Sequence, residues 1–164
     1  MIPCTDQALE ERAVALMLHE PSVLDGAFVT PGELTLPKAI MTLRAGLSLH
    51  ARGEPVDTVT IRSETLRLFG SVDDEWLLTA WAMTPLDFPR GSIAKRLREL
   101  AVGRSLREQV ASTIEQIERG DLAPAIDRLR QLAETRAPGG DDPRRYAKLS
   151  GLLREGVESL HETA

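Results

Sequence analysis

The stretch LHARGEPVDTVTI, residues 49–61, decides between a helical and a mixed fold. Gly53 and Pro55 predict the end of the helix that precedes them, because glycine commonly terminates helices and proline cannot continue one. Asp57 is a good N-cap for a new helix, and Gly70 is a good terminator for it. The stretch therefore predicts one helix, a turn, and a second helix.

The alternative for this stretch is a β-strand. Val56, Val59 and Ile61 are β-branched residues, which favour strands. We prefer the helix, because the run begins at a cap residue and ends at a glycine. A strand of a hairpin would instead be flanked by tight turns, which this stretch lacks. This helix is expected to bury Leu66 and Phe69.

Similar signals predict helices on both sides. One begins after Thr5 or Asp6, which can act as N-caps, and another ends around Ala51. A further helix follows residues 73–75, since acidic side chains favour a helix N-terminus. Together with the 4% aromatic content and the core of aliphatic residues that this implies, the pattern predicts an all-α fold.

Residues 92–136 predict a long antiparallel helical hairpin. Ser92 is a good cap, and the run to Arg119 contains no proline, so it forms one long helix or two joined near Gly103. Gly120 provides a stop, and Pro124 is acceptable in the first turn of the next helix. The apolar stripes of this hairpin are Leu106, Val110, Ile114, Ile117, Ile126, Leu129 and Leu132.

These signals divide the chain into four parts. Residues 1–91 form a compact helical head and residues 92–136 the hairpin, while the Pro- and Gly-rich residues 137–145 form a flexible linker. Residues 146–164 are predicted to form an amphipathic helix. One short helix after a linker cannot bury its apolar face alone, so it must dock on another surface.

Composition limits the function. The net charge of -5 and the pI near 5.3 argue against broad binding to a phosphate backbone. A single cysteine, Cys4, excludes an internal disulfide. No secretory leader or membrane-length apolar run is evident, so we expect a cytoplasmic protein without membrane contact.

The sequence offers no catalytic or cofactor site. No Gly-Lys pair of a phosphate-binding loop occurs, and the three histidines lie far apart, without ligands at metal-binding spacing. Adjacent carboxylates such as Glu10 and Glu11 point to different faces of a helix, so we interpret them as solvated charge. We predict neither an enzyme nor a metal or cofactor site in this chain.

Two surfaces are candidates for binding. Basic residues between Arg90 and Arg107 could contact phosphates, but Glu99 interrupts them and no aromatic residues are interleaved for base stacking, so an exposed helix face is the simpler interpretation. Trp76 and Trp81 do not share one helical stripe. One of them is therefore a candidate partner contact, although burial in the core is the simpler expectation for each.

Three stretches resemble the N-terminal domain and linker helix of the DnaB-type replicative DNA helicase: residues 8–25, 49–61 and 92–121. The second is the most diagnostic, because its glycine, its proline and its run VDTVTI match the family pattern. The chain departs from the family at PGELTLPKAI, where an aromatic residue and a histidine are usual, and at Asp73 and Asp74, where a glycine pair is usual. These departures concern partner identity more than fold.

The resemblance implies a non-catalytic domain that dimerises, with a trimer of dimers as the larger collar, and that meets primase and helicase loader proteins. ATP and Mg²⁺ would belong to the ATPase domain of the parent helicase, which this chain lacks. The hairpin stripes would line the hairpin and its dimer contact, although packing within the hairpin alone explains each residue equally well. The linker helix would dock on a neighbouring ATPase domain through Leu149, Leu152, Leu153, Val157 and Leu160.

Two alternatives remain at this stage. The chain could be a free-standing regulator that pairs with helicase subunits, rather than the N-terminal piece of a helicase. It could also be a helical nucleic-acid-binding module that uses the stretch from Arg90 to Arg107. A steep loss of affinity with rising salt would identify the second.

Overall fold

A computed structural model describes residues 5–26, 28–83 and 90–134. The chain divides into two compact units, residues 1–101 and 102–164. From here on the first unit is called the head, which is ten residues longer than the predicted head of residues 1–91, and the second is called the arm. The helices are α1 (Gln7–His19), α2 (Pro37–Ala51), α3 (Thr58–Phe69), α4 (Asp74–Ala82), α5 (Arg90–Glu118) and α6 (Leu122–Glu134), with 3₁₀ turns at Pro21–Gly26 and Pro31–Glu33. The described residues contain no strand, which confirms the all-α prediction.

Side-chain caps begin three of these helices. Asp6 accepts a hydrogen bond from the backbone N–H of Leu9 at 3.0 Å, and Asp73 accepts one from Trp76 at 3.0 Å. Asp57 accepts from the N–H groups of two residues of α3, each at 2.9 Å. Such bonds satisfy amide groups that have no partner within the helix. The predicted start of α3 is confirmed, and the strand alternative for residues 56–61 is wrong.

The apolar core of the head draws on α1 to α5. Met17, Ile61 and Leu97 are among the largest side chains that are fully buried, and Leu43 and Leu77 complete the same cluster. Burial of such side chains is the main favourable term in folding, at about 25 cal/mol per Å² of apolar surface. The core therefore joins residues far apart in the sequence.

Gly46 allows α1 and α2 to approach closely. A Cβ atom at this position would lie 2.5 Å from the Met17 sulfur and 3.4 Å from the Ile61 Cδ1. Both of those side chains are fully buried, so neither can move into solvent to make room. The absence of a side chain at Gly46 is thus a packing requirement.

Glu10 is fully buried, which corrects its interpretation as solvated charge. Its Oε2 accepts the backbone N–H groups of Thr35 and Leu36, at 2.8 and 2.7 Å. Its Oε1 accepts the Thr35 hydroxyl at 2.5 Å. Because Leu36 is the N-cap residue of α2 and its own side chain cannot cap, Glu10 supplies from α1 the acceptors for the backbone N–H groups at this helix end.

The buried face of α3 also differs from the prediction. Ile61, Glu64 and Thr65 face inward, whereas Leu66 is exposed and Phe69 is only half-buried. The polar Glu64 can be buried because three side chains donate hydrogen bonds to it. These donors are Ser48 at 2.6 Å, Arg52 at 2.9 Å and Arg67 at 2.7 Å.

The hydrogen bonds to Glu64 also hold its carboxyl in the charged state. Those from Arg67, then Arg52, then Ser48 hold the pKa of the Glu64 carboxyl well below its usual range. The group joins the end of α2 to α3, because Arg52 also pairs with Glu54 in the intervening turn, at 2.8 Å. We call these five residues the Glu64 cluster.

α5 is one continuous helix of 29 residues that passes through Gly103 without a break. It begins at Arg90, two residues before the predicted cap Ser92, so the cap prediction is wrong. Ser92 lies inside the first turn, and Arg90 pairs with Glu20, which follows α1. The predicted linker and the amphipathic helix, residues 137–164, lie outside the described residues.

Candidate interaction surfaces

The arm turns between α5 and α6 at Gly120, which has a φ of +87°. L-residues with a side chain rarely adopt this conformation, so a glycine suits the position. The N–H of Gly120 donates to Ile117 O and that of Asp121 to Gln116 O, both at 3.0 Å. These bonds satisfy carbonyl groups at the end of α5 and confirm the stop predicted at Gly120.

The predicted interface residues of α5 form a stripe with graded exposure. Leu106 and Ile117 are half-buried, while Val110 is 41% exposed and Ile114 is 50% exposed. Residues three and four apart lie on the same side of a helix, so these side chains form one surface. Large aliphatic side chains with this exposure leave apolar area in contact with water.

The predicted residues of α6 are covered more evenly. Ile126, Leu129 and Leu132 are all half-buried. The uncovered apolar surface among the predicted residues therefore lies on α5, at Val110 and Ile114.

Two buried residues of the arm were missing from the prediction. Thr113 and Ala125 are almost completely buried, and the Thr113 hydroxyl donates to Gln109 O at 2.8 Å. Thr113 lies three residues after Val110 and four before Ile117, so its position on the apolar side of the helix could have been predicted from the spacing. A threonine can be buried in a helix because its hydroxyl bonds to the carbonyl four residues earlier.

Trp81 is the more exposed of the two tryptophans, at 49%. Its ring stacks on His19, with a centroid separation of 6.2 Å and an interplanar angle of 10°. The His19 Nε2 and the Trp81 carbonyl oxygen lie 2.7 Å apart, within hydrogen-bond distance. The indole is thus held in one position on the surface by the end of α1.

Trp76 occupies the opposite environment. It packs against the apolar core, and its indole N–H donates to Glu11 Oε1 at 3.3 Å. The structure therefore places Trp76 largely in the core and Trp81 on the surface.

Other apolar side chains of the head are exposed and were missed by sequence reasoning. Leu78 lies one turn before Trp81 and is more exposed than it, and Val59 of α3 is 71% exposed. Leu78 and Trp81 share one side of α4 because they are three residues apart. The available signal was the apolar run around Trp76, which exceeds what one buried face of a nine-residue helix can hold.

Three of the six basic residues between Arg90 and Arg107 form ion pairs within the head. Arg90 pairs with Glu20, Arg96 with Glu99 at 3.2 Å, and Arg98 with Glu33 at 3.1 Å. Arg98 also donates to the carbonyl oxygen of Phe28. These pairs reduce the positive charge that the stretch offers to a phosphate backbone.

Two other kinds of site have no counterpart in the described part of the chain. Within residues 5–26, 28–83 and 90–134, no group of three or more His, Cys, Asp or Glu side chains is placed to hold a metal ion. Among the same residues, no helix is long and apolar enough to cross a membrane.

Comparisons with known proteins bear on the resemblance to the helicase family. No protein-family model matches the sequence, and no curated protein matches it. The structure is similar to the crystal structure of the N-terminal domain of DnaB helicase from Mycobacterium tuberculosis, with 26% sequence identity and a TM-score of 0.67. The match covers 82% of this chain and 100% of that domain. It confirms the resemblance that residues 8–25, 49–61 and 92–121 indicate.

Proposed function

We propose that this chain is a non-catalytic assembly domain of a replicative DNA helicase, which self-associates through its arm and recruits a primase or a helicase loader. The observation that carries this proposal is the structural match over the full length of a DnaB N-terminal domain. A fold by itself does not define a function, so the surfaces must support the proposal independently.

The exposed side of α5 supports self-association. Val110 and Ile114 leave apolar surface in water, and burial of such a surface against a second copy would be favourable. Symmetric pairing would bring the same stripe from both copies together, because a twofold interface uses one patch twice. The arm would then form a dimer, and three dimers would build the larger collar.

The chemistry of the head fits a role without catalysis. Its buried carboxylates, Glu10 and Glu64, are both occupied in hydrogen bonds that connect helices. ATP and Mg²⁺ would bind to a separate ATPase domain of the parent enzyme. The domain described here would work in the cytoplasm by positioning other proteins.

Self-association can be tested by light scattering on the complete 164-residue chain over a range of concentrations. We expect a dimer or a multiple of it. Ile114→Asp should raise the dissociation constant of the dimer at least tenfold, because it places a charge in an apolar contact. Ser112→Asp is the matched control. It adds the same charge to an exposed position of the same helix, away from the stripe.

Two results would contradict the dimer contact. One is a strict monomer at high concentration. The other is an oligomer that Ile114→Asp and Ser112→Asp leave equally intact, which would move the contact away from this side of α5.

Partner recruitment is assigned to the side of α4 that presents Leu78 and Trp81. Exposed tryptophan side chains are frequent hot spots of protein interfaces. We expect Trp81→Ala to weaken binding of the chain to a purified replicative primase or loader at least tenfold, measured by calorimetry. Leu68→Ala, an exposed apolar residue of α3, is the control and should leave the affinity unchanged.

A partner that binds the Trp81→Ala and Leu68→Ala variants equally well would place recruitment elsewhere. Circular dichroism on both variants must first show an intact head, because Trp81 also stacks on His19.

A further inference from the structure

A small cavity of about 230 Å³ lies in the head among α2, α3 and the beginning of α4. Met41, Val72 and Trp76 provide apolar walls, and Thr65 also lines the cavity. Lys38 and Asp73, both half-exposed, lie on its outer side. All residues that line the cavity belong to the head, and none belongs to the α5 stripe used by the self-association proposed above.

Thr65 is the unusual member of this lining. The residue is 2% exposed, and its hydroxyl has no hydrogen-bond partner among the residues that the structure describes. An unpaired buried hydroxyl is costly, because it loses its bonds to water without replacement. Threonine in a helix populates two side-chain rotamers, so its hydroxyl can turn toward a polar atom inside the cavity.

The volume indicates the size of the ligand. An engineered apolar cavity of about 150 Å³ in another protein holds one benzene molecule, whereas cofactor-sized and drug-sized ligands need about 300 to 1,000 Å³. The cavity described here therefore fits one six-membered ring with a small substituent. The Trp76 indole offers an aromatic surface on which such a ring can pack.

The charges around the cavity favour a neutral ligand. Lys38 Nζ lies 2.6 Å from Asp73 Oδ2, so each charge is already paired. Asp73 also caps α4, and the pKa of its carboxyl is lowered by the bond from Lys38 and then by that from the Trp76 N–H. A charged ligand would have to displace one member of this pair, whereas a neutral ligand would leave it intact.

We propose that this cavity binds a neutral phenol-type ring, whose hydroxyl exchanges a hydrogen bond with the Thr65 hydroxyl and whose ring packs on Trp76. A hydroxyl can donate one hydrogen bond and accept two, so two hydroxyl groups are complementary in either direction. Such a ring could come from a free phenolic compound or from a tyrosine side chain of a partner protein.

Titration of the ¹⁵N-labelled full chain with phenol and with toluene tests the proposal. The two indole N–H signals report separately, with Trp81 as the internal control outside the cavity. We expect both compounds to shift the Trp76 signal to saturation. Phenol should bind about three- to tenfold more tightly than toluene, which is the range expected for one neutral hydrogen bond.

Variants of Thr65 isolate the hydroxyl. Thr65→Val keeps the shape of the side chain and removes the hydroxyl. This variant should therefore bind phenol and toluene with about equal affinity, and its affinity for toluene should match that of the native chain. Thr65→Ser keeps the hydroxyl and should preserve the preference. N-acetyl-tyrosinamide distinguishes the two sources of the ring, because it should bind only where the cavity admits a tyrosine side chain from outside.

Three results would overturn the proposal. They are the absence of a saturable change at Trp76, equal affinity of the native chain for phenol and toluene, and an unchanged preference in Thr65→Val. Thermal unfolding of Thr65→Val provides a check without ligand, because removal of an unpaired hydroxyl should leave the stability equal or higher. A clear loss of stability would mean that the hydroxyl already has a partner.

Discussion

The head and the arm differ in how they use apolar residues. In the head, residues from five helices enclose one core, and even its buried carboxylates have several hydrogen-bond donors. In the described part of the arm, the buried residues are Thr113 and Ala125, and both are small. The larger Val110 and Ile114 remain in contact with water.

This difference indicates which contacts stabilise each part. The head contains the contacts that it needs and should be stable as a monomer. Within the described part of the arm little apolar surface is buried, and the self-association proposed above would cover Val110 and Ile114. Variants in the head should therefore change the free energy of unfolding, whereas variants in the arm should change association.

The largest effect is expected for Glu10→Ala in the head. This change leaves the N–H groups of the half-buried Thr35 and Leu36 without their acceptor at the start of α2, so we expect a loss of about 3 kcal/mol in the free energy of unfolding. Urea denaturation followed by circular dichroism measures it. Gln7→Ala, at an exposed position of α1, should cost less than about 0.5 kcal/mol.

A smaller effect is expected for Gly46→Ala. The added methyl group would crowd the buried Met17, and this overpacking should exceed the gain in helix propensity, for a net loss of about 1 kcal/mol. Gly91→Ala is the matched control in α5, because a Cβ atom added there would meet no neighbouring side chain within 4 Å. That variant should be neutral or slightly more stable in the same urea titration.

The Glu64 cluster should make the free energy of unfolding depend on pH. Because the pKa of Glu64 is lowered in the folded state, its stabilising contribution is complete well above the usual carboxyl pKa of about 4.3 and decreases as the pH falls through that value toward the lower folded-state pKa. The free energies of unfolding of the native chain and of Glu64→Gln should therefore differ most near pH 7, and the difference should become smaller as the pH falls from about 5 to about 3. Parallel curves over this range would exclude the cluster as the cause.

The smallest effect on unfolding is expected for Val110→Ala in the arm. At concentrations low enough to dissociate the proposed dimer, the loss should stay below about 0.5 kcal/mol, because the side chain is already 41% exposed. At high concentration the same variant should weaken association. A large loss in dilute solution would mean that the arm has a core of its own, and the contrast with the head would fail.

The helix boundaries show what sequence can predict. Asp57, Gly70 and Gly120 act locally, through bonds to the nearest backbone groups, and all three lie where the sequence predicts them. Ser92 also has the right residue type for a cap, yet the helix begins at Arg90. Residue type shows that a cap is allowed at a position, but it does not show that the helix begins there.

Burial was harder to predict where polar residues face inward. Glu10 looks like a surface carboxylate, and the donors that justify its burial lie 25 and 26 residues away. Glu64 occupies the inner face of α3 for a similar reason, which displaces Leu66 to the surface. The spacing of α5 predicts an apolar stripe but not which of its residues are exposed. The cavity beside Thr65 depends on three helices meeting and leaves no signal in the sequence.

The continuity of α5 has a consequence for the order of folding. Starting a helix is costly, whereas extending one adds a hydrogen bond for each residue that is fixed. Ile93, Leu97 and Leu100 are buried in the head, so the first turns of α5 are nucleated there, and the part after Ala101 can grow from them. A chain whose head has not folded would lack this nucleus and would present no ordered stripe at Val110 and Ile114. Folding of the head would thus have to precede the self-association proposed for the arm.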